Sequence, residues 1–152
     1  MQDRKWLSTF SELIDRLSIH QLKEVFIPEN KEKYAKEIDD IIYDLDVVIR
    51  EKNIECSGDL IRSVVVLAQI NAHIWYNETK VRSGGDQDLH LLKLTHGLNG
   101  IRNNTQNHIS RLVGPDERLD WKTDCLAAEF KDWEISMFKD LKKDTEENTH
   151  ID

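Results

Sequence analysis

Residues that break helices are scarce in this chain, and their placement decides what it can fold into. There are two prolines, Pro28 and Pro115, and six glycines in 152 residues. Most of them stand between stretches of helical periodicity rather than between alternating ones. No segment alternates apolar and polar residues long enough to define a half-buried strand. The chain therefore reads as all-α: a single-domain helical bundle of about five helices over residues 1–152, with a polar tail at 142–152 expected to fray. A chain of this length supports one core rather than two.

The punctuation sets the helices. Thr9 and Glu12 have the capping-box spacing, and Phe10, Leu13, Ile14 and Leu17 follow on one face. Ser18 to Gln21 repeats that spacing before Ile19, Leu22, Val25 and Phe26, so the first helix is expected to be kinked or split there. Pro28 ends this unit. A second helix is expected from an Asn30 cap to about Lys52, with Tyr34, Ile38, Ile41, Ile42, Leu45, Val48 and Ile49 at heptad-like spacing. "CSGD" is a turn, and a third helix should run from about Asp59 to Ser83. Apolar residues surround its axis, which suits a central helix buried by several neighbours or by a second subunit. The loop around Gly84 and Gly85 is short, making a fourth helix, about Leu89 to Val113, an antiparallel neighbour of the third. After Gly114 and Pro115 a fifth helix is expected at about Glu117 to Leu141, burying Leu119, Leu126, Phe130, Trp133 and Met137.

Charge narrows the function classes. The net charge is −8 and a third of the residues are charged, against roughly a quarter in an average domain. Such a surface repels phosphate backbones and anionic membranes, and no dense basic patch offsets it, so nucleic acid and membrane are not expected partners. The N-terminus lacks the apolar core of a signal peptide, and the longest apolar run, 64 to 68, is far short of a membrane span. A cytoplasmic location is expected, with Cys56 and Cys125 reduced and buried.

Within the apolar third helix, "AQINAHIWYNETKVR" (68–82) carries polar groups where a core helix needs none. At about 100° per residue, Asn71, Trp75, Glu78 and Arg82 fall on one stripe, continuing that of Val64, Leu67 and Ala68. In the fourth helix Arg102 falls on the stripe of Leu91, Leu98 and Ile109, with Asn99 and Gln106 at its edge. Gly97 and Gly100 sit mid-helix at a cost of roughly 0.5 to 1 kcal/mol each, which suggests close approach of another backbone or a ligand. The two stripes are expected to meet, with Glu78 held between Arg82 and Arg102. The net positive spot left over favours a carboxylate or phosphate guest.

The segments "LIDRLSIHQLK" (13–23), "NAHIWYNETKVR" (71–82) and "LNGIRN" (98–103) resemble a family of small helical bacterial and phage proteins classed as a domain of unknown function. Its pattern is an Asp-Arg/Lys-Leu-Ser/Thr-Ile segment, an Asn, Trp, Glu and Arg helix, and an Asn-x-x-Arg-Asn segment. The matching residues here are Asp15, Arg16, Ser18 and Ile19, then Asn71, Trp75, Glu78 and Arg82, then Asn99, Arg102 and Asn103. The resemblance implies that the three polar segments belong together, and implies no activity. This chain departs from the pattern after Asn103, reading "NTQNHISRLVG" where the family continues with an acidic helix.

Three readings follow. The leading one is a small cytoplasmic protein binding a polar, anionic or nucleotide-like molecule between helices 3 and 4, with no cofactor. Its expected ligand-binding residues are Asn71, Trp75, Glu78, Arg82, Asn99, Arg102 and Asn103. The second is a Mg²⁺-dependent nucleotide pyrophosphatase or hydrolase of the all-α type. There Glu12, Asp15, Glu37 and Asp40 would hold the metal, since carboxylates three residues apart share a helix face. Acidic residues are so numerous that a solvated face explains these pairs as well. The third is a structural or interaction bundle without ligand, including a homodimer built on the third helix. None of the six histidines has the spacing of a helical zinc site. Whether the chain is an enzyme stays open at this point.

Overall fold

The computed structural model describes residues 1–83, 88–114 and 136–138. Its described residues form four α-helices and no strand: α1 Phe10–Phe26, α2 Lys31–Glu51, α3 Gly58–Arg82 and α4 Asp88–Val113. The bundle is all-α, as the sequence pattern requires. The expected fifth helix, Cys125 and the tail from Lys142 lie outside the described residues, apart from a 3-10 turn at Ser136–Phe138.

Local chemistry sets the helix ends. At the start of α1 the capping box is complete: the Glu12 N–H donates to Thr9 Oγ1 (3.3 Å) and the Thr9 N–H to Glu12 Oε2 (3.0 Å). The second capping signal, at Ser18, does not split the helix, because Ser18 Oγ donates to the Asp15 carbonyl (2.8 Å) within a continuous α1. Asn30 lies in a 3-10 turn and makes no side-chain cap. α3 opens on Ser57, whose Oγ accepts from the Leu60 N–H (3.1 Å). The end of α2 is a Schellman motif. Asn53 has φ 50°, its N–H donates to the Arg50 carbonyl (3.3 Å), and the Ile54 N–H donates to the Ile49 carbonyl (3.0 Å). The turn folds Ile54 back onto the main core.

α1 is the hub. Its backbone runs close to those of α2, α3 and α4, and α3 runs close to α4, whereas the α2 backbone stands further from α3 and α4 among the described residues and meets them only through the shared core. One cluster joins Phe10 and Leu13 to Ile41 and Leu45 of α2, Leu60 and Leu67 of α3, and Ile109 of α4. A second joins Ile70, Ile74 and Leu98. Early α3 thus clusters with late α4 and late α3 with the middle of α4, which makes the pair antiparallel. The expectation that α3 would be buried all round is not met among the described residues: Ile61 and Val65 are exposed. Apart from Asn71, its buried residues Leu60, Ser63, Leu67, Ile70, Ile74 and Asn77 follow a strict 3-4-3-4-3 spacing, a heptad seam on one face. Cys56, expected to be buried, is exposed in the turn between α2 and α3.

A non-glycine residue held at positive φ costs about 1–2 kcal/mol unless it is Asn, Asp or Gly. Asn53→Ala should therefore lower the unfolding free energy by about 1 kcal/mol, while Asn53→Gly should match or exceed the parent. Urea denaturation of the three proteins checks this.

Candidate functional site

The polar residues singled out in the sequence divide among three places. Asn71 is 3% exposed and turns toward α1, not α4. Its Nδ2 donates to Asp15 Oδ1 (2.8 Å) and to Ser18 Oγ (2.6 Å). Asp15 and Ser18 are a helical turn apart, so one amide fixes the register of α1 on α3. Trp75 is half-buried and also faces α1, its ring stacked on Phe26 at 6.4 Å between centroids.

Glu78 and Arg82 were expected to point inward, and they do not. Their side chains are 47% and 81% exposed, and they form an i, i+4 surface pair at 3.9 Å. The cause lies in α1. It covers α3 at Asn71 and Trp75 and ends at Phe26, whose ring stacks on Trp75. Glu78 and Arg82, one heptad further along the same face, lie past that end and stay in water. Asn77, 5% exposed, was missed because the stripe was drawn through Asn71 rather than through the seam on α4. The 3-4 spacing that ends on it was the signal.

On α4 the prediction fares better. Leu91, Thr95, Leu98, Arg102, Thr105 and Ile109 keep 4-3-4-3-4 spacing, so Arg102 occupies a seam position, and it is half-buried, as are Asn99 and Asn103. Gly97 and Gly100 are both buried. Thr95 and Thr105 are buried too, but their hydroxyls donate to the carbonyls of Leu91 and Ile101 (both 2.8 Å), so packing uses their capacity. Ser110 Oγ donates to Ser11 Oγ of α1 (2.8 Å).

Among the described residues, two buried side-chain donors have no hydrogen-bond partner: Asn77 Nδ2 and Arg102 Nε. The register that clusters Ile70 and Ile74 with Leu98 sets Arg102 near the level of Ile70 and Asn77 near that of Thr95. The two donors then stand about 10 Å apart along the seam. The expected pairing of Glu78 with Arg102 is replaced by an Arg102 whose buried nitrogen has no acceptor. An unsatisfied buried donor costs about 1–3 kcal/mol, and more when charged.

The four carboxylates of the metal reading do not gather. Glu12 closes the α1 cap, Asp15 accepts from Asn71, Glu37 Oε2 pairs with His20 Nε2 across α1 and α2 (2.8 Å), and Asp40 is exposed. No group of three or more His, Cys, Asp or Glu side chains among the described residues is arranged to hold a metal ion. No described helix is long and apolar enough to cross a membrane.

A different feature was not visible in the sequence. An open apolar slot of about 500 Å³ lies between α2 and α3, floored by α1. Phe26 and Val25 at one end are each 61% exposed, and Ile42 on the α2 wall is 44% exposed.

No protein-family model, curated protein or solved structure matches this chain.

Two predictions follow from the geometry. Asn71→Ala leaves the Asp15 carboxylate without its amide donor and should cost about 2–3 kcal/mol in urea denaturation; Asn71→Asp, which sets a second carboxylate beside Asp15, should cost more. His108 titrates below its ordinary 6.5, chiefly through burial, then through Arg111, with Asp59 opposing and Arg62 adding to the depression. Between the lowered folded value and 6.5 the unfolded chain binds more protons, so stability should fall as the pH drops through that window. His108→Gln should flatten the fall, as read by thermal unfolding across pH.

Proposed function

We propose that this chain is a binding protein for a small polar molecule, anionic or nucleotide-like, received along the seam between α3 and α4. One observation carries the reading: a guanidinium nitrogen, Arg102 Nε, buried at a seam position with no acceptor. Arg is charged at every accessible pH. Leaving one of its nitrogens buried and unpaired costs stability that a Leu or Met at the same seam position would not. A carboxylate or phosphate oxygen supplied from outside would meet that need, with Asn99 and Asn103 one turn or less away on the same helix.

Asn77 Nδ2 is the second waiting donor. The separation along the seam favours an extended molecule with acceptors at both ends, such as a nucleoside phosphate, over a single inorganic ion. Asn71, Trp75, Glu78 and Arg82 leave the ligand set: the first two are engaged with α1, and the last two pair with each other at the surface. The Mg²⁺-dependent hydrolase has less behind it, since its carboxylates are spent on a cap, an amide and a histidine. The resemblance to the bacterial and phage family adds no activity to either reading.

Thermal-shift and calorimetric titration with nucleoside monophosphates, dicarboxylates and inorganic phosphate tests the proposal. One extended anion class should raise the melting temperature and phosphate alone should do so less. Arg102→Met should abolish that binding while raising the ligand-free melting temperature by about 2–4 °C, the effect of removing a penalty near 1 kcal/mol. An Arg102→Met protein that melts lower than the parent, with no anion shifting either, would mark Arg102 as structural and end this reading.

A further inference from the structure

The slot between α2 and α3 is an unfilled helix position. Among the described residues the α2 backbone comes close to α1 and not to α3, while α3 closes with α4, and apolar side chains of α2 and α3 line the space left between them. The floor of the slot follows α1 from Ile14 to Phe26, about 18 Å at 1.5 Å per residue, or somewhat over three turns. Such a length suits the apolar stripe of a helix better than a compact small molecule. Leu17, Val25 and Phe26 on the floor, Ile38 and Ile42 on one wall and Ala68 on the other make the surface almost wholly apolar. Ala68 is small enough to let a partner's backbone come close.

No charged side chain lines the slot itself, and carboxylates stand next to its lining residues. Asp39 and Asp46, both exposed, flank Ile42 at three residues before and four after, positions that share its helix face. On the α1 side Gln21 lines the slot and its Nε2 donates to Glu24 Oε1 (3.1 Å), placing a third carboxylate at the edge. No lysine or arginine lines it, and the whole chain carries a net charge of −8.

We propose that this slot docks an amphipathic helix of a partner protein, its apolar stripe on α1 and its flanks basic against Asp39, Asp46 and Glu24. This is helix-in-groove recognition, with apolar burial giving affinity and the acidic rim setting partner sign and encounter rate. It uses none of the residues of the α3–α4 seam, so it stands or falls apart from the ligand reading.

Fluorescence anisotropy of the full-length chain with three labelled synthetic peptides tests it: a helical heptad peptide of leucine and lysine, the same peptide with glutamate for lysine, and a scrambled leucine–lysine peptide. The first should bind saturably and the others weakly or not at all. Ile42→Glu and the exposed-site variant Val25→Ser should weaken it, the former by about tenfold or more. Asp39→Asn with Asp46→Asn should weaken it several-fold and flatten its salt dependence. Circular dichroism confirms that the variants keep the parent's helicity, and Val25→Ser remains informative if Ile42→Glu does not. Failure of the leucine–lysine peptide to bind the parent overturns the proposal, whether the slot is covered by the chain's own C-terminal residues or by nothing. Equal binding of the glutamate peptide overturns the basic partner. Sedimentation of the parent as a dimer that Ile42→Glu dissociates would make a second copy the occupant instead.

Discussion

A helix of 17 residues has to satisfy three longer neighbours, and the rest of the bundle follows from how α1 does so. Its Phe10 and Leu13 end lies in the cluster that also holds Leu45, Leu67 and Ile109. Its middle turns Asp15 and Ser18 toward α3, where Asn71 takes both. Apolar burial supplies most of the stability and is indifferent to sliding by a turn; the Asn71 amide is not, since its two acceptors lie one turn apart. The polar contact therefore acts as a register pin. α3 is thus pinned to α1 by Asn71 and α2 by the His20–Glu37 pair, and the slot lies between these two attachments, floored by α1.

What the sequence disclosed was mostly local. The Thr9 and Glu12 box and the ends of α2, α3 and α4 lie within about a residue of expectation, although Asn30 makes no side-chain cap, because helix ends are decided within four residues. Tertiary choices were not legible. Ser18 carried a valid capping signal and spends its hydroxyl on Asp15 and Asn71 instead. Asn71 and Glu78 fall 20° apart on a straight helical wheel, yet one is buried and the other exposed. The difference is made by a third helix: α1 covers α3 as far as Trp75 and ends there at Phe26, and a wheel drawn for one helix cannot show where a neighbour stops. Arg102 keeps its seam position because the middle of α4 packs on α3 over that stretch.

The two unusual surfaces of the protein have opposite chemistry and a common origin. At the seam between α3 and α4, Arg102 Nε and Asn77 Nδ2 are each buried without a partner. The gap between α2 and α3 is open enough that Ile42, Val25 and Phe26 stay wet. A bundle optimised for stability alone would place Leu at the first pair and close the second. Both departures cost folding free energy, and neither is relieved by any described residue.

Cost without internal relief is what separates a site from a structural network. Asp15, Ser18 and Asn71 look as unusual in the sequence as Arg102 does, and all three acquire partners within the chain, so packing accounts for them in full. Arg102 does not. The same criterion demotes Glu78 and Arg82, whose ion pair is solvated and worth a few tenths of a kcal/mol at most. It demotes the four scattered carboxylates as well, each with a partner or in water. Applied to apolar groups it singles out the slot, where side chains that would be buried in a closed bundle meet solvent near carboxylates. What sets residues apart in this bundle is less whether they are polar than whether the fold leaves them unanswered.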